Sequence, residues 1–339
     1  MIADLFAKSR DELCTELAAL GCEPAAGLAS MILVGGKGMR LAESRKLIAA
    51  ADYPLLDASY HGRVGPKGMA VMEGALDGAM VRRPLTDWHL EIHGACPEVT
   101  SLTLALGTGG DIIRDYYRQV HGGRFKDKPV DFLVEEKPAG TLAPFVKLHT
   151  GPGLPETPVV YANGDNLVDV DLYQAYLVGC LAALRSGAVL DECVIDIISM
   201  VPWRLSGECG TADVDLDSGR LSGFREKCAK EDNPWVEIGG ERFSTINSGI
   251  AIVLNPAVLY GRYFAEHPEV VEISQRLEAG ELDYKEHETV VKYETAYQLF
   301  AGRGNMFGVY DPGSYWADLG TEEKIIAAEQ AFPRTRIFG

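Results

Sequence analysis

Residues 31–41 read MILVGGKGMRL, a short apolar run that leads directly into a glycine-rich loop. The apolar run predicts a buried β-strand, and the glycines allow the backbone of the loop to approach a ligand closely. Consecutive backbone N–H groups in such a loop can surround a phosphate, and the guanidinium of Arg40 adds a planar set of donors. The stretch therefore predicts a phosphate-binding loop at the end of a strand.

The spacing of these glycines disfavours two common nucleotide-binding loops. Gly38 is not followed by the Lys-Ser/Thr pair of P-loop proteins, and the G-x-G-x-x-G spacing of dinucleotide-binding loops is absent. No acidic residue follows at a second strand end where a nicotinamide dehydrogenase would need one. A glycine loop alone also suits a tight strand-to-helix turn, so its interpretation depends on the other motifs.

Further apolar segments alternate with segments of helical periodicity. Strands are predicted at 101–106, 130–136 and 158–165, and helices at 3–20 and 171–184. This alternation predicts an α/β fold with a Rossmann-like, mostly parallel sheet and helices on both faces. Ligands of such sheets bind beyond the carboxyl ends of the strands, so the glycine loop and Asn163-Gly164-Asp165 are expected in one cleft.

The pattern becomes richer in β-strands after residue 190, where Asp217-Ser218-Gly219 predicts the turn of a hairpin. A helix is predicted at 287–302 and a single strand at 305–320. An insertion beside the glycine loop is expected to form a lid or an oligomer contact. The predicted units are an N-terminal helical extension (1–30), a nucleotide-binding half (31–190) with the insertion at 42–65, and a smaller β-rich half with closing helices (191–339).

Two aspartates, Asp165 and Asp318, follow strand-like segments and are candidate ligands of Mg²⁺. Carboxylates at strand ends can hold this ion, which bridges phosphate oxygens. The alternative for Asp165 is a helix cap, but Asp169 is better placed to cap the helix at 171–184. The alternative for the segment of Asp318 is a turn with an N-cap at Thr321.

The chain carries a formal net charge of −17, which disfavours binding to nucleic acid or to anionic membranes. No apolar run approaches the ~20 residues of a membrane span. The N-terminal segment lacks the pattern of a secretion signal, and the seven cysteines include no C-x-x-C pair. We therefore expect a cytoplasmic protein with reduced thiols.

The motifs, in their order along the chain, resemble those of the nucleotidylyltransferases that make sugar nucleotides, such as glucose-1-phosphate and mannose-1-phosphate pyrophosphorylases. The matching segments are MILVGGKGMRL, Pro66-Lys67, LALGTGGDIIRDYY, EEKPAGTLAPF, VVYANGDNLVDVDL, GRLSGFREK, INSGIAIVLNP and WADLGT. The resemblance implies the nucleotide-diphospho-sugar transferase fold and an enzyme that condenses an NTP with a sugar 1-phosphate, releasing pyrophosphate. EEKPAGTLAPF is most similar to mannose- and heptose-1-phosphate guanylyltransferases, which favours GTP as the nucleotide.

The resemblance also assigns roles to individual residues. Nucleotide binding would fall to Val34, Gly35, Gly36, Gly38, Met39, Glu136, Gly140, Thr141, Asn163 and Gly164, and sugar-phosphate binding to Glu226, Lys227, Asn247 and Gly249. Arg40, Lys67 and Asp165 would be catalytic, and Asp165 and Asp318 would hold Mg²⁺. The insertion separates Arg40 from Lys67, so Lys46 is a competing candidate for the catalytic lysine.

Other functions remain open from the sequence. The same chemistry on a cyclitol phosphate or phosphocholine is one alternative, although Glu226 and Asn247 favour an acceptor with several hydroxyl groups. A regulatory protein that binds NDP-sugar without catalysis is another, and the presence of the acidic and basic site residues argues against it. A homodimer or higher homo-oligomer is expected.

Overall fold

The computed structural model describes residues 2–36, 40–225 and 229–331. The helices in these ranges are α1 (Ile2–Phe6), α2 (Arg10–Ala19), α3 (Glu43–Lys46), α4 (Leu85–Ala95), α5 (Gly110–His121), α6 (Ala143–Thr150), α7 (Leu172–Arg185), α8 (Pro256–Glu266), α9 (Pro268–Ala279), α10 (Tyr284–His287), α11 (Tyr293–Gly302) and α12 (Glu322–Ala331).

The strands in the same ranges are β1 (Leu28–Leu33), β2 (Val71–Leu76), β3 (Ala79–Pro84), β4 (Val99–Leu106), β5 (Arg124–Phe125), β6 (Lys128–Val134), β7 (Val159–Asn163), β8 (Asn166–Asp169), β9 (Val194–Pro202), β10 (Thr211–Val214), β11 (Leu221–Arg225), β12 (Val236–Ile238), β13 (Glu241–Val253), β14 (Met306–Val309) and β15 (Tyr315–Asp318).

Eleven of these strands form one large sheet with the order β11-β10-β13-β7-β1-β4-β6-β5 along its main path. Strands β7, β1, β4 and β6 run parallel at its centre. Strand β13 joins them antiparallel to β7, and β9, β12 and β14 extend the sheet from β13. The sheet therefore continues across residue 190, the boundary predicted between the two halves.

Helices cover both faces of this sheet, because successive side chains of a strand point to opposite sides. Ile32, Leu104 and Val160 of the parallel strands pack in one hydrophobic cluster with residues of α5 and α7. Their neighbours Met31, Ala105 and Tyr161 pack in a second cluster with residues of α6, α8 and α11. The predicted α/β fold with a layered, largely parallel sheet is confirmed.

The N-terminal helix predicted over residues 3–20 is divided into α1 and α2. Ser9 interrupts it, because the Ser9 side chain accepts from the backbone N–H of Glu12 while the Glu12 carboxylate accepts from the backbone N–H of Ser9. This reciprocal arrangement is a capping box that starts a new helix. Leu13 and Leu17 of α2 are fully buried in the main core, so the extension covers the core beside α7.

Two other predictions need correction. The cap of α7 is Asp171, which accepts from the backbone N–H of Gln174 at 2.9 Å, rather than Asp169, which lies inside β8. The single strand predicted near residues 305–320 is two strands, because the chain turns at Asp311 after β14. Strand β14 joins the main sheet beside β9, and β15 pairs separately with β8.

The insertion at 42–65 is packed into the protein. Ile48, Tyr53 and Leu56 are buried in the same core as the central sheet. The Tyr60 hydroxyl donates to Oδ2 of Asp115 on α5 at 2.7 Å. A lid that opened here would have to break these core contacts. Within the described ranges, none of the helices has the length and apolar character that crossing a bilayer requires.

Candidate functional site

A cleft of about 1110 Å³ lies at the carboxyl ends of the parallel strands. Its lining begins with Leu33 at the end of β1, Ala105 near the end of β4 and Asn163 at the end of β7. Small-molecule sites usually measure about 300–1,000 Å³, so the cleft is large enough for two ligands together. Its position is the one at which open α/β sheets bind ligands.

The cleft brings together most of the site residues proposed from the sequence. Its lining includes Val34, Gly35, Gly36, Arg40, Lys67, Gly140, Thr141, Asn163, Gly164, Asp165, Asn247, Gly249 and Asp318. Gly38, Met39, Glu226 and Lys227 lie outside the described residues. Glu136 is exposed and is not among the lining residues, whereas its neighbour Glu135 is.

Two glycines allow the strand ends to approach each other at the floor of the cleft. A Cβ on Gly35 would lie 2.7 Å from the backbone nitrogen of Gly107, in the loop after β4. A Cβ on Gly164 would collide with the carbonyl oxygen of Leu33, to which the Gly164 N–H donates at 2.8 Å. Glycine at these positions therefore lets the loops after β1, β4 and β7 form one continuous surface.

Lys67 and Asp165 form an ion pair on this surface. Nζ of Lys67 lies 3.1 Å from Oδ2 of Asp165, and the lysine side chain is only 10% exposed. Burial raises the pKa of Asp165, but the nearby charges of Lys67 and, more weakly, Arg40 outweigh it, and the net pKa lies below its ordinary value. Lys46 is buried and is not among the cleft-lining residues.

His89 lies behind this pair on α4 and is almost fully buried. Burial lowers the pKa of His89 to about 4, although the charge of Asp165 opposes this shift. The imidazole is therefore neutral at physiological pH, and Lys67 is the cation that forms the ion pair with Asp165.

Asp318 is held next to Asp165 by the ladder between β8 and β15. The ladder pairs Asp318 with Asn166, and the N–H of Leu319 donates to the carbonyl oxygen of Asp165 at 2.7 Å. The Asp318 carboxylate accepts from the Gly320 N–H and from Nζ of Lys324, each at 2.6 Å. A Cβ on Gly320 would lie 3.2 Å from Nη2 of Arg40, so this guanidinium reaches the same turn.

The donor set of Asp165 and Asp318 suits Mg²⁺. This ion takes oxygen ligands and is usually bound through one or two carboxylates, with water and substrate phosphates completing its shell. In the described part of the chain, no cluster of three or more acidic, histidine or cysteine side chains forms a complete metal cage. The two carboxylates beside the glycine loop thus fit an ion that would be shared with a phosphate ligand.

One wall of the cleft comes from the segment that runs from the end of α9 to the start of α11, and no sequence motif indicated it. The N–H of Tyr293 donates to Oγ1 of Thr141 at 2.9 Å, and the N–H of Leu142 donates to the carbonyl oxygen of Val291 at 3.0 Å. The wall is lined by Leu277, Gly280, Leu282, Asp283, Tyr284, Lys285, Lys292, Tyr293 and Glu294. The β-branched run Thr289-Val290-Val291 disfavours a helix at the start of the segment 287–302, where one was predicted. In the structure α11 begins later, at Tyr293.

Glu135 presents a buried carboxyl group to the same part of the cleft. Its side chain is 9% exposed, and Oε2 accepts from the N–H of Ala139 at 3.2 Å. Burial raises the pKa of Glu135 to about 7, while the hydrogen bond from Ala139 acts in the opposite direction. The sequence resemblance points to Glu136, but the side chain of that residue is exposed to solvent.

Two asparagine amides meet at the hydroxyl group of Tyr293. Nδ2 of Asn163 lies 2.8 Å from Oη of Tyr293, and Nδ2 of Asn247 lies 3.4 Å from it. Oδ1 of Asn247 accepts from the N–H of Gly249 at 2.7 Å, which fixes the orientation of this amide. The end of β7 and the bulged part of β13 are therefore linked at the cleft.

Several solved structures share this architecture. HddC from Yersinia pseudotuberculosis is 19% identical with a TM-score of 0.53, and the match covers 90% of this chain and 99% of HddC. UDP-glucose pyrophosphorylase complexed with UDP-glucose is 16% identical with a TM-score of 0.54, over 91% of this chain and 100% of that protein. The chain has their fold. No family model matches the sequence, and no curated protein matches it.

HddC has also been solved in complex with GMP-PN, and that structure matches with a TM-score of 0.50 at 20% identity, over 90% of this chain and 99% of HddC. The predicted nucleotide-diphospho-sugar transferase fold is thus confirmed by structures that share little sequence with this chain.

Proposed function

We propose that the chain is a nucleotidylyltransferase that condenses a nucleoside triphosphate with a sugar 1-phosphate, giving an NDP-sugar and pyrophosphate. The observation that carries this proposal is the meeting of Gly35 and Gly36 of the glycine loop, the Lys67–Asp165 ion pair and Asp318 in one cleft. The shared fold with UDP-glucose pyrophosphorylase, solved with UDP-glucose, and with HddC supports it.

In this reaction an oxygen of the sugar phosphate attacks the α-phosphorus in line, and the bond from that phosphorus to the bridging oxygen of pyrophosphate breaks. The nucleophile is already an anion, so no general base is required. Catalysis then depends on holding the two substrates in line and on neutralising charge. A cleft large enough for both ligands supports the first requirement.

The cationic side chains meet the second requirement. We assign Arg40 to the leaving pyrophosphate and Lys67 to the reacting phosphates, because both reach the Asp165 turn. Asp165 and Asp318 would hold Mg²⁺, which acts as a Lewis acid on phosphate oxygens when bound. The glycine loop would bind the triphosphate through its N–H groups, and Asn247 and Gly249, which line the cleft, would contact the acceptor.

We propose GTP as the nucleotide, on the basis of Glu135. A carboxylate offers two acceptor oxygens, and guanine presents adjacent N–H donors at N1 and at the exocyclic amine. Adenine, cytosine, uracil and thymine do not present this pair of donors. The HddC complex with GMP-PN supports the same choice for a protein of this fold.

A pyrophosphate-release assay tests the proposal. ATP, CTP, GTP, UTP and dTTP are each combined with a panel of sugar 1-phosphates, a cyclitol phosphate and phosphocholine, with Mg²⁺ present. We expect release with sugar 1-phosphates, fastest with GTP. Silence over the whole panel, together with binding of an NDP-sugar, would instead support the non-catalytic regulator.

The choice of base has its own test. Glu135→Gln replaces one acceptor oxygen by a donor, so we expect GTP turnover relative to ATP to fall by about tenfold or more. Glu136→Gln is the matched control, because its side chain is exposed and not in the cleft lining. Equal loss in both variants, or no loss in either, would contradict recognition of guanine by Glu135.

A further inference from the structure

We propose that Tyr293 is a positioning residue that fixes the nucleotide side and the acceptor side of the cleft through a single hydroxyl group. The inference rests on the proposed function and extends it to a residue that no motif indicated. Tyr293 begins α11, is 4% exposed and lines the cleft.

The hydroxyl group links two neighbouring strands that carry different parts of the site. Asn163 ends β7, beside the glycine loop, and donates to Oη of Tyr293 at 2.8 Å. Asn247 lies on β13, where the register shifts between Asn247 and Ile250, and its Nδ2 lies 3.4 Å from the same oxygen. One acceptor atom thus receives an N–H from both amides, and the Asn247 amide is also held by the N–H of Gly249.

The main chain of Tyr293 is fixed by a third part of the site. Its N–H donates to Oγ1 of Thr141 at 2.9 Å, across 152 positions of sequence. The hydroxyl of Tyr161 donates to the carbonyl oxygen of Thr141, and the rings of Tyr161 and Tyr293 meet edge to face with centroids 5.8 Å apart. Tyr293 is therefore held by the loop that contains Thr141 while it holds the two asparagines.

The chemistry of the hydroxyl suits this role. Burial raises the pKa of Tyr293 well above its ordinary value, so the phenol stays neutral. Phenylalanine at this position would keep the ring but would leave two amide N–H groups without their acceptor. An unpaired amide in the cleft wall is expected to turn towards water or ligand, which changes the surface that both substrates meet.

The test compares Tyr293→Phe with Tyr297→Phe. Tyr297 lies one turn later on α11, is fully buried with its ring centroid 4.8 Å from that of Tyr293, and is not among the cleft-lining residues. Both variants lose one hydroxyl from the same core. Initial rates of pyrophosphate release are measured with the best NTP and sugar 1-phosphate of the panel, varying each in turn.

For Tyr293→Phe we expect both KM values to rise by about tenfold while kcat changes much less, since the hydroxyl orients binding groups and does not touch reacting atoms. Tyr297→Phe is expected to keep both KM values. If the Tyr293 hydroxyl had only a structural role, both variants would have a lower melting temperature, and the KM values of Tyr293→Phe would not rise more than its kcat falls. If Tyr293→Phe folds poorly, Thr141→Val removes the acceptor of the Tyr293 N–H and is expected to raise both KM values as well.

The outcomes separate the two proposals. An active wild type whose Tyr293→Phe variant keeps both KM values, or raises only one, overturns the role of Tyr293 and leaves the proposed function standing. A wild type that releases no pyrophosphate with any pair overturns the proposed function, and the role of Tyr293 fails with it.

Discussion

Nζ of Lys67 lies 3.1 Å from Oδ2 of Asp165, which joins the turn after the insertion to the end of β7. This pair selects between the two lysines that the sequence offered, because Lys46 is buried and does not line the cleft. It also shows that Asp165 is positioned as an anion before any ligand arrives.

Asp165→Asn is expected to lower turnover by about a hundredfold or more, because the amide keeps the shape of the side chain but loses its charge. The loss removes both the partner of Lys67 and a proposed ligand of Mg²⁺. Pyrophosphate release under saturating substrates is the measurement. Asp131→Asn is the control, since Asp131 is exposed and outside the cleft lining. Near-normal turnover of Asp165→Asn would contradict the metal assignment.

Lys67→Met is expected to lower turnover by about 30- to 1,000-fold, the range that corresponds to ~2–4 kcal/mol for one lost charged contact to the transition state. Lys46→Met, compared per folded molecule, is expected to stay close to the wild type. Rates of both variants, normalised by the folded fraction from circular dichroism, decide between the lysines. A larger loss of turnover in Lys46→Met than in Lys67→Met would assign the catalytic role to Lys46.

Removal of divalent ions by EDTA is expected to abolish turnover, and added Mg²⁺ should restore it. Asp318→Asn should then need about tenfold more Mg²⁺ for half-maximal rate, because one charged oxygen ligand is lost. Titration of the rate with Mg²⁺ provides the measurement, and isothermal titration calorimetry with Mg²⁺ provides a readout independent of turnover. Equal Mg²⁺ requirements for Asp318→Asn and wild type would remove Asp318 from the site.

The buried carboxyl of Glu135 predicts a pH-dependent stability. Its pKa is about 7 in the folded chain and ~4.3 for an ordinary glutamate, so between these pH values the folded state binds more protons. The stability of the wild type should therefore fall as pH rises from about 4 to 7 and stay lowered above that. Glu135→Gln should be more stable than the wild type at pH 8, by up to about 3 kcal/mol, and similar near pH 4.

Urea unfolding of Glu135→Gln, Glu136→Gln and the wild type at both pH values measures this difference. The exposed Glu136 should show no such pH-dependent gain. A Glu135→Gln variant that is less stable than the wild type at pH 8 would show that the charged carboxylate is favoured in the fold.

The insertion provides a matched pair of neighbouring leucines. Leu56 is 3% exposed and Leu55 is 67% exposed. Leu56→Ala should lower the free energy of unfolding by about 2–5 kcal/mol, because it leaves a cavity in the main core. Leu55→Ala should change it by less than about 0.5 kcal/mol. Similar small effects in urea unfolding would show that the segment is not part of the core.

Sequence patterns located the strand ends well. The apolar runs before Gly35 and before Asn163 identified β1 and β7, and the edge rule for parallel sheets placed both loops in one cleft. The position of Asp318 at the end of a strand was also predicted, because its segment has the pattern of a strand that precedes a helix. These features depend on local periodicity, which a single sequence displays directly.

The features that escaped prediction depend on contacts between distant segments. The hydrogen bond between Thr141 and Tyr293 spans 152 positions, and nothing in the local pattern of either residue indicates the other. Glu135 and Glu136 are identical in type, so only the direction of the backbone after β6 decides which one faces the cleft. The caps at Ser9 and Asp171 similarly depend on where each helix actually begins.

The ladder between β8 and β15 has a consequence for how the protein comes into being on the ribosome. Residue 165 emerges long before residue 318, yet the carboxylates of these two residues belong to one proposed centre, and β7 also requires β13 as its neighbour in the sheet. A nascent chain therefore has no assembled centre until residue 318 has been released. Interrupted translation products that end before residue 318 should accordingly be catalytically inert.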